Sequence, residues 1–162
     1  ADAGLDTVLA PLLCGPMYGD DAFFRFAALG ADSAAALLAA LPEEYLATER
    51  QNDSPTIGKI LRAVVAHPDR LLAHGYVIGP ARCDERITTE GVLLRTGREY
   101  RLCELYGPPT PDCECADLYR VLVDDFGVDD AHTHPHELDR FHYYEWTPDG
   151  YQGEPWYRAW WD

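Results

Sequence analysis

Three histidines alternate in a short polar segment and are a candidate metal site. His132, His134 and His136 occupy every second position, so in an extended chain their imidazoles point to the same side. Neutral imidazole is a common zinc ligand. Cys113 and Cys115 lie earlier in the chain and could add thiolate ligands if the intervening segment folds back. This spacing predicts a site for a divalent metal such as zinc, either structural or hydrolytic.

The segment His132–Pro135 resembles the His-Ser/Thr-His-Pro signature of the JAMM (MPN) metalloprotease family. In that family the two histidines bind zinc, and a downstream Ser and Asp complete the site. At those downstream positions this chain has Tyr143 and Trp146. The resemblance therefore extends to the histidine pair alone and implies no complete catalytic set.

The C-terminal part of the chain is rich in aromatic residues, which are a second candidate for function. Residues 141–161 hold nine of the 19 aromatic residues and all four tryptophans. Large rings provide contact area in protein interfaces and ligand pockets. The residues expected to bind a partner are Tyr144, Trp146, Tyr151, Trp156, Tyr157, Trp160 and Trp161. The alternative is that these rings complete the core and fix the C-terminus against a sheet.

The charge of the chain limits the partners that it can bind. There are 28 acidic and 13 basic residues, which give a net charge of −15. Residues 112–162 alone carry 13 acidic and 3 basic residues, a net charge of −10. A field of this sign repels nucleic-acid phosphates and anionic lipids, so we expect neither as a partner. A basic partner surface, a cation or a neutral ligand fits better. We expect the partner to be a protein, either another protein or a second copy of the chain.

Charge and aromatic residues together predict a small protein-interaction or regulatory module that binds through its C-terminal third. The metal-binding domain or metal-dependent hydrolase described above is the alternative. No phosphate-binding Gly-Lys-Ser/Thr loop or Gly-x-Ser-x-Gly turn is present. Asp84, Glu85 and Glu90 offer carboxylates near expected strands, but no spacing marks a catalytic pair. The sequence therefore assigns no catalytic residue and leaves enzymatic activity open.

The cysteines and the hydropathy indicate a compartment. Five cysteines without a secretory leader predict reduced thiols and a cytoplasmic location rather than a disulfide framework. No stretch approaches the ~18 to 20 apolar residues that a membrane helix needs.

The length of 162 residues favours one domain over 1–162, helical to about residue 73 and strand-rich from about 74. Helices are expected at 34–41, after Pro42, at 55–67 with Ser54 as the N-cap, and at 112–126 with Gly127 as the left-handed terminator. Strands are expected at 76–78, 87–89, 92–95, 100–105 and 141–146, with 92–95 and 100–105 paired as a hairpin. This order predicts an α+β fold, with N-terminal helices packed on a small, mostly antiparallel sheet from the second half.

Overall fold

The computed structural model describes residues 13–17, 20–79, 82–103, 110–141 and 153–162. These residues form four helices: α1 Ala31–Ala40, α2 Glu43–Thr48, α3 Ile57–Ala66 and α4 Cys115–Asp124. They also form six strands: β1 Leu13–Met17, β2 Asp20–Leu29, β3 Leu71–Ile78, β4 Arg86–Leu94, β5 Glu137–Arg140 and β6 Tyr157–Trp160.

The six strands pair antiparallel in one sheet with the order β1-β2-β3-β4-β6-β5. The α+β class with an antiparallel sheet is therefore confirmed. The expectation of N-terminal helices followed by a sheet from the second half is only partly correct, because β1 and β2 precede the helices and α4 follows β4. Three phenylalanines around Arg25 give β2 the side chains that favour strands, and Phe26 and Leu29 enter the core.

One face of the sheet packs against the helices and forms the main core. The apolar stripe of α3 is buried there as its spacing predicts, through Ile57, Ile60, Leu61 and Val64. Leu118 and Leu122 of α4 join the same core. We call the opposite face of the sheet the second face; near one end it carries a smaller apolar cluster of Leu72, Leu93, Phe141 and Trp156.

The start of α3 differs from the sequence expectation. Thr56, not Ser54, is the N-cap, and its hydroxyl accepts a hydrogen bond from Lys59 N at 3.3 Å. The carboxylate of Asp130 accepts bonds from the Thr56 backbone N (3.2 Å) and hydroxyl (2.7 Å). The Ser54 hydroxyl instead donates to backbone carbonyls, one of them Thr89 O at 3.3 Å.

The expected hairpin after β4 does not form over its described residues. Residues 100–103 are not a strand, and residues 104–105 lie outside the described ranges. The place beside β4 is taken by β6. Backbone N–H groups of this segment form hydrogen bonds with side chains instead of a neighbouring strand. Tyr100 N donates to the Tyr157 hydroxyl at 2.7 Å, and Arg101 N donates to the Glu114 carboxylate at 2.8 Å. The expected strand at 141–146 also lies outside the described ranges, except for Phe141, which is not in a strand.

None of the helices in the described ranges is both long enough and apolar enough to cross a membrane.

Candidate functional site: a polar cluster on the second face of the sheet

A β-bulge places a buried carboxylate on the second face. His74 of β3 pairs with Gly91 of β4, but Gly75 pairs with Thr89, so Glu90 is an extra residue. Glu90 is only 2% exposed. Its carboxylate forms an ion pair with the guanidinium of Arg25 on β2. A buried carboxylate needs such a partner, because burial removes its hydration.

Glycines on both sides of the bulge allow the strands to approach closely. A Cβ atom on Gly75 would lie 2.1 Å from Thr88 O, and one on Gly91 would lie 2.3 Å from Ala159 O. Neither contact is sterically possible, because both neighbours are backbone atoms. The sequence Thr-Thr-Glu-Gly at 88–91 therefore carries the signal for this site: an acidic residue beside a glycine, followed directly by the apolar Val92, Leu93 and Leu94.

The cluster continues along β3 and β4 through Tyr76. The Tyr76 ring stacks on Phe23 with centroids 4.9 Å apart, and its hydroxyl donates to Gln51 Oε1 at 2.5 Å. Arg86 donates to the same hydroxyl. Burial raises the pKa of Tyr76, although the Arg86 charge opposes this shift. Tyr76 is therefore a neutral hydrogen-bond donor near neutral pH.

Helix α2 and the segment between α2 and α3 cover the edge of β4 beyond the end of β6. Tyr45 donates to Ile87 O at 2.7 Å, and Ser54 donates to Thr89 O at 3.3 Å. Burial, and to a smaller extent the Glu49 charge, raises the pKa of Tyr45 to about 12. Glu49 also raises the pKa of Tyr76, so this segment adds a second carboxylate to the cluster.

Several buried polar atoms around Glu90 find no hydrogen-bond partner among the described residues. They are Glu49 Oε1, His74 Nδ1, Thr88 Oγ1 and Trp160 Nε1, while Thr89 Oγ1 is a further such atom on the helix face. His74 Nδ1 lies 3.2 Å from Glu90 Oε1, but without the direction of a hydrogen bond. Native proteins pair almost all buried polar groups, so a group of exceptions in one place marks a candidate binding site.

The C-terminal aromatic residues predicted to bind a partner fall into three groups. Tyr144, Trp146 and Tyr151 lie outside the described residues. Trp156, Tyr157 and Trp161 are buried in the two apolar clusters, and Trp161 Nε1 donates to Thr133 O at 3.0 Å. Trp160 is half-buried and pairs with Gly91 of β4, which places its side chain on the second face.

The three alternating histidines have separate partners. His132 Nδ1 lies 3.7 Å from Asp53 Oδ1, the His134 ring packs on Tyr119, and His136 Nδ1 accepts from Asp162 N at 3.0 Å. Over the described ranges, none of them belongs to a group of three potential metal ligands. The structure therefore does not bring them together, and it does not bring them to Cys113 and Cys115.

Three cysteines do come together. The Sγ atoms of Cys103, Cys113 and Cys115 lie within 4.8 Å of one another. Cys103 and Cys113 form a disulfide, which differs from the expectation of reduced thiols, and Cys115 Sγ lies 3.1 Å from Cys113 Sγ. Cys103 was absent from the predicted ligand set because Cys113 and Cys115 follow it ten and twelve residues later, beyond a proline-rich segment.

Comparison of this chain with protein-family models, curated proteins and solved structures gives no match.

Proposed function

We propose that this protein is a binding module that receives a cationic group of a protein partner on the second face of its sheet. The observation that carries the proposal is the set of unpartnered polar atoms of His74, Thr88 and Trp160 around the buried Glu90. Leaving a buried polar group unpaired costs about 1–3 kcal/mol. A ligand that pairs with these atoms on binding recovers that free energy.

The chemistry of the cluster favours a donor-rich ligand. The Glu49 oxygen is an acceptor, the Thr88 hydroxyl can accept, and His74 Nδ1 accepts in the tautomer that carries its proton on Nε2. Trp160 Nε1 supplies only a donor. A guanidinium or ammonium group carries several donors and no acceptor, so it matches the acceptors of this set. The Trp160 N–H needs an acceptor, which a backbone carbonyl of the same peptide supplies. The net charge of −15 attracts such a group from a distance.

The C-terminal third contributes to this surface through β6 and β5. Trp160 lies beside Gly91, and the Arg158 guanidinium lies 5.7 Å from the centre of the Trp160 ring. Arg158 is itself held by Glu137 and Asp139 of β5, with a 2.9 Å contact to Asp139. A half-buried tryptophan between charged groups is a common anchor in protein interfaces. The sequence predicted that the acidic, aromatic tail binds a partner; this proposal assigns that binding to Trp160 and the residues next to it.

A matched pair of threonines tests the proposal. Thr88 and Thr89 are both fully buried with unpartnered hydroxyls, but Thr88 faces the cluster and Thr89 faces the helices. The probe is a peptide array that samples basic and neutral sequences, with affinity measured by fluorescence anisotropy. We expect basic peptides to bind. Thr88→Val should weaken binding about fivefold or more, the equivalent of one hydrogen bond, and Thr89→Val should leave it unchanged.

A second pair separates binding from folding. Trp160→Phe keeps an aromatic ring but removes the unpartnered N–H, so it should weaken peptide binding with little effect on stability. Trp161→Phe removes an N–H that is bonded to Thr133 O, so it should lower stability instead. If no peptide binds, or if Thr88→Val and Thr89→Val behave alike, the proposal is wrong. Ordered water alone would then account for the unpartnered atoms.

A further inference from the structure

We propose that Cys103, Cys113 and Cys115, in their reduced state, bind one thiophilic divalent cation, with zinc as the best match. The three sulfur atoms already lie within 4.8 Å of one another. A tetrahedral zinc–thiolate site has Zn–S bonds of about 2.3 Å, which separates its sulfurs by about 3.8 Å. Small side-chain rotations are therefore enough to turn this cluster into three corners of a zinc site.

The backbone holds the cysteines together independently of the disulfide. Arg101 lies two residues before Cys103, and Glu114 lies between Cys113 and Cys115. These two residues form reciprocal hydrogen bonds. Glu114 N donates to Arg101 O at 2.7 Å, and Arg101 N donates to the Glu114 carboxylate at 2.8 Å. Cys113 N donates to Thr110 O at 3.1 Å. This frame remains after reduction, so a cation would find the ligands already positioned.

The positions of the three sulfur atoms fit the binding of one shared ion better than thiol–disulfide exchange between Cys115 and the Cys103–Cys113 disulfide. Attack of one sulfur on a disulfide needs three sulfurs in a line. With a disulfide bond of ~2.05 Å and Cys115 Sγ at 3.1 Å from Cys113 Sγ, a line would separate the outer sulfurs by ~5.1 Å. The Cys103 and Cys115 sulfurs lie at most 4.8 Å apart, so the three atoms are bent away from that line.

Cation binding and the disulfide exclude each other. A dithiol reductant transfers two electrons and two protons to the Cys103–Cys113 bond and leaves as its own disulfide. The two thiols formed in this way and the free thiol of Cys115 then release three protons as they bind the cation, which gives a complex of net charge −1. Water completes the fourth position. Cys115 is the first residue of α4, and the N-terminus of a helix favours a negative charge there.

Cobalt reports on such a site by spectroscopy. The full chain is reduced with dithiothreitol, desalted without oxygen and titrated with Co²⁺. We expect one equivalent per chain with the charge-transfer absorption of a tetrahedral cobalt–thiolate, which Zn²⁺ then removes. Cys115→Ser should weaken binding more than about 100-fold, because loss of a ligand exceeds the roughly 10- to 100-fold effect of outer-shell partners. Cys83→Ser, at an exposed free cysteine, should change nothing.

Two further measurements keep the test independent of folding. The wild-type chain, oxidised so that the Cys103–Cys113 disulfide is complete, should not bind Co²⁺ until it is reduced again. A variant with His132, His134 and His136 all changed to Asn should bind as the wild type does. Absence of thiolate absorption, binding that persists in Cys115→Ser, or loss of binding only in the histidine variant would each overturn the proposal. These results are separate from the peptide experiment on the second face.

Discussion

His74 and Trp160 lie in one row across the sheet on either side of Gly91, and a ring nitrogen of each lacks a hydrogen-bond partner within the described ranges. Neighbouring strands are about 4.8 Å apart, so the two backbones are separated by about 10 Å. Gly91 has no side chain to fill the space between the two rings, and the Glu90 carboxylate beside it is held by Arg25. The second face therefore combines close packing with incomplete hydrogen bonding.

The Arg25–Glu90 pair should contribute measurably to stability. Glu90→Gln removes the negative charge and leaves Arg25 near a buried amide. The Arg25 side chain is 35% exposed, so this ion pair is intermediate between a surface pair and a fully buried one. We expect its loss to lower the free energy of unfolding by about 2 kcal/mol. Urea unfolding measures it. Glu43→Gln, which breaks the exposed pair with Arg62, is the control and should have little effect. Equal effects of the two variants would contradict the assigned importance of the buried pair.

The close approach of the strands at the bulge should make Gly91 intolerant of substitution. Gly91→Ala places a Cβ against Ala159 O, so β6 must shift, and we expect a loss of about 3 kcal/mol in the free energy of unfolding. Gly30→Ala is the control, because its Cβ would make an ordinary 3.7 Å contact with Leu72. A Gly91→Ala variant as stable as the Gly30→Ala variant would show that β4 and β6 are farther apart than described.

The buried phenol of Tyr45 should make the fold sensitive to alkali. Its pKa is raised from 10.0 to about 12, so the folded state retains a proton that the unfolded state has lost. The contribution of this protonated phenol to the free energy of unfolding is fully present below pH 10 and is lost as the pH rises toward about 12. Tyr45→Phe should therefore flatten the decline of unfolding free energy across this interval. Parallel pH profiles for the two proteins would contradict this assignment.

Two adjacent aspartates should differ sharply in their effects. Asp130 accepts two hydrogen bonds from Thr56 at the start of α3, so Asp130→Ala should lower the unfolding free energy by about 1–2 kcal/mol. Asp129 is exposed, and the Lys59 ammonium lowers the pKa of its carboxyl group. Asp129→Ala should leave thermal stability nearly unchanged. If the two variants melt together, Asp130 does not fix the end of this helix.

Local patterns in the sequence predicted the helices better than the strands. The apolar spacing of α3 and the left-handed Gly127 (φ 70°) after α4 were both confirmed. Strands depend on partners far along the chain, and the partners of β6 and β2 are not visible in a local pattern. The interpretation of 92–95 and 100–105 as a hairpin was wrong because β6, from the end of the chain, occupies that position.

The candidate site escaped the sequence analysis for a related reason. Arg25 and Glu90 are 65 residues apart in the sequence, and His74 lies between them; the three meet only through strand register and a bulge. The histidine motif and the aromatic tail were conspicuous because they are local. Of the described rings of the tail, Trp156 packs in the apolar cluster of the second face, and Trp160 lies on the same face beside Gly91.

The placement of β6 makes the C-terminal segment part of the fold as well as of the proposed binding surface. Truncation after Pro148 removes a strand that lies between β4 and β5, together with the fully buried Trp161. Loss of one such ring alone costs about 3–5 kcal/mol, so we expect the truncated chain to be unfolded by circular dichroism. Removal of Asp162 alone takes away an exposed residue and should leave the chain folded. A truncated chain that folds but no longer binds peptides would instead identify the tail as a separable binding segment.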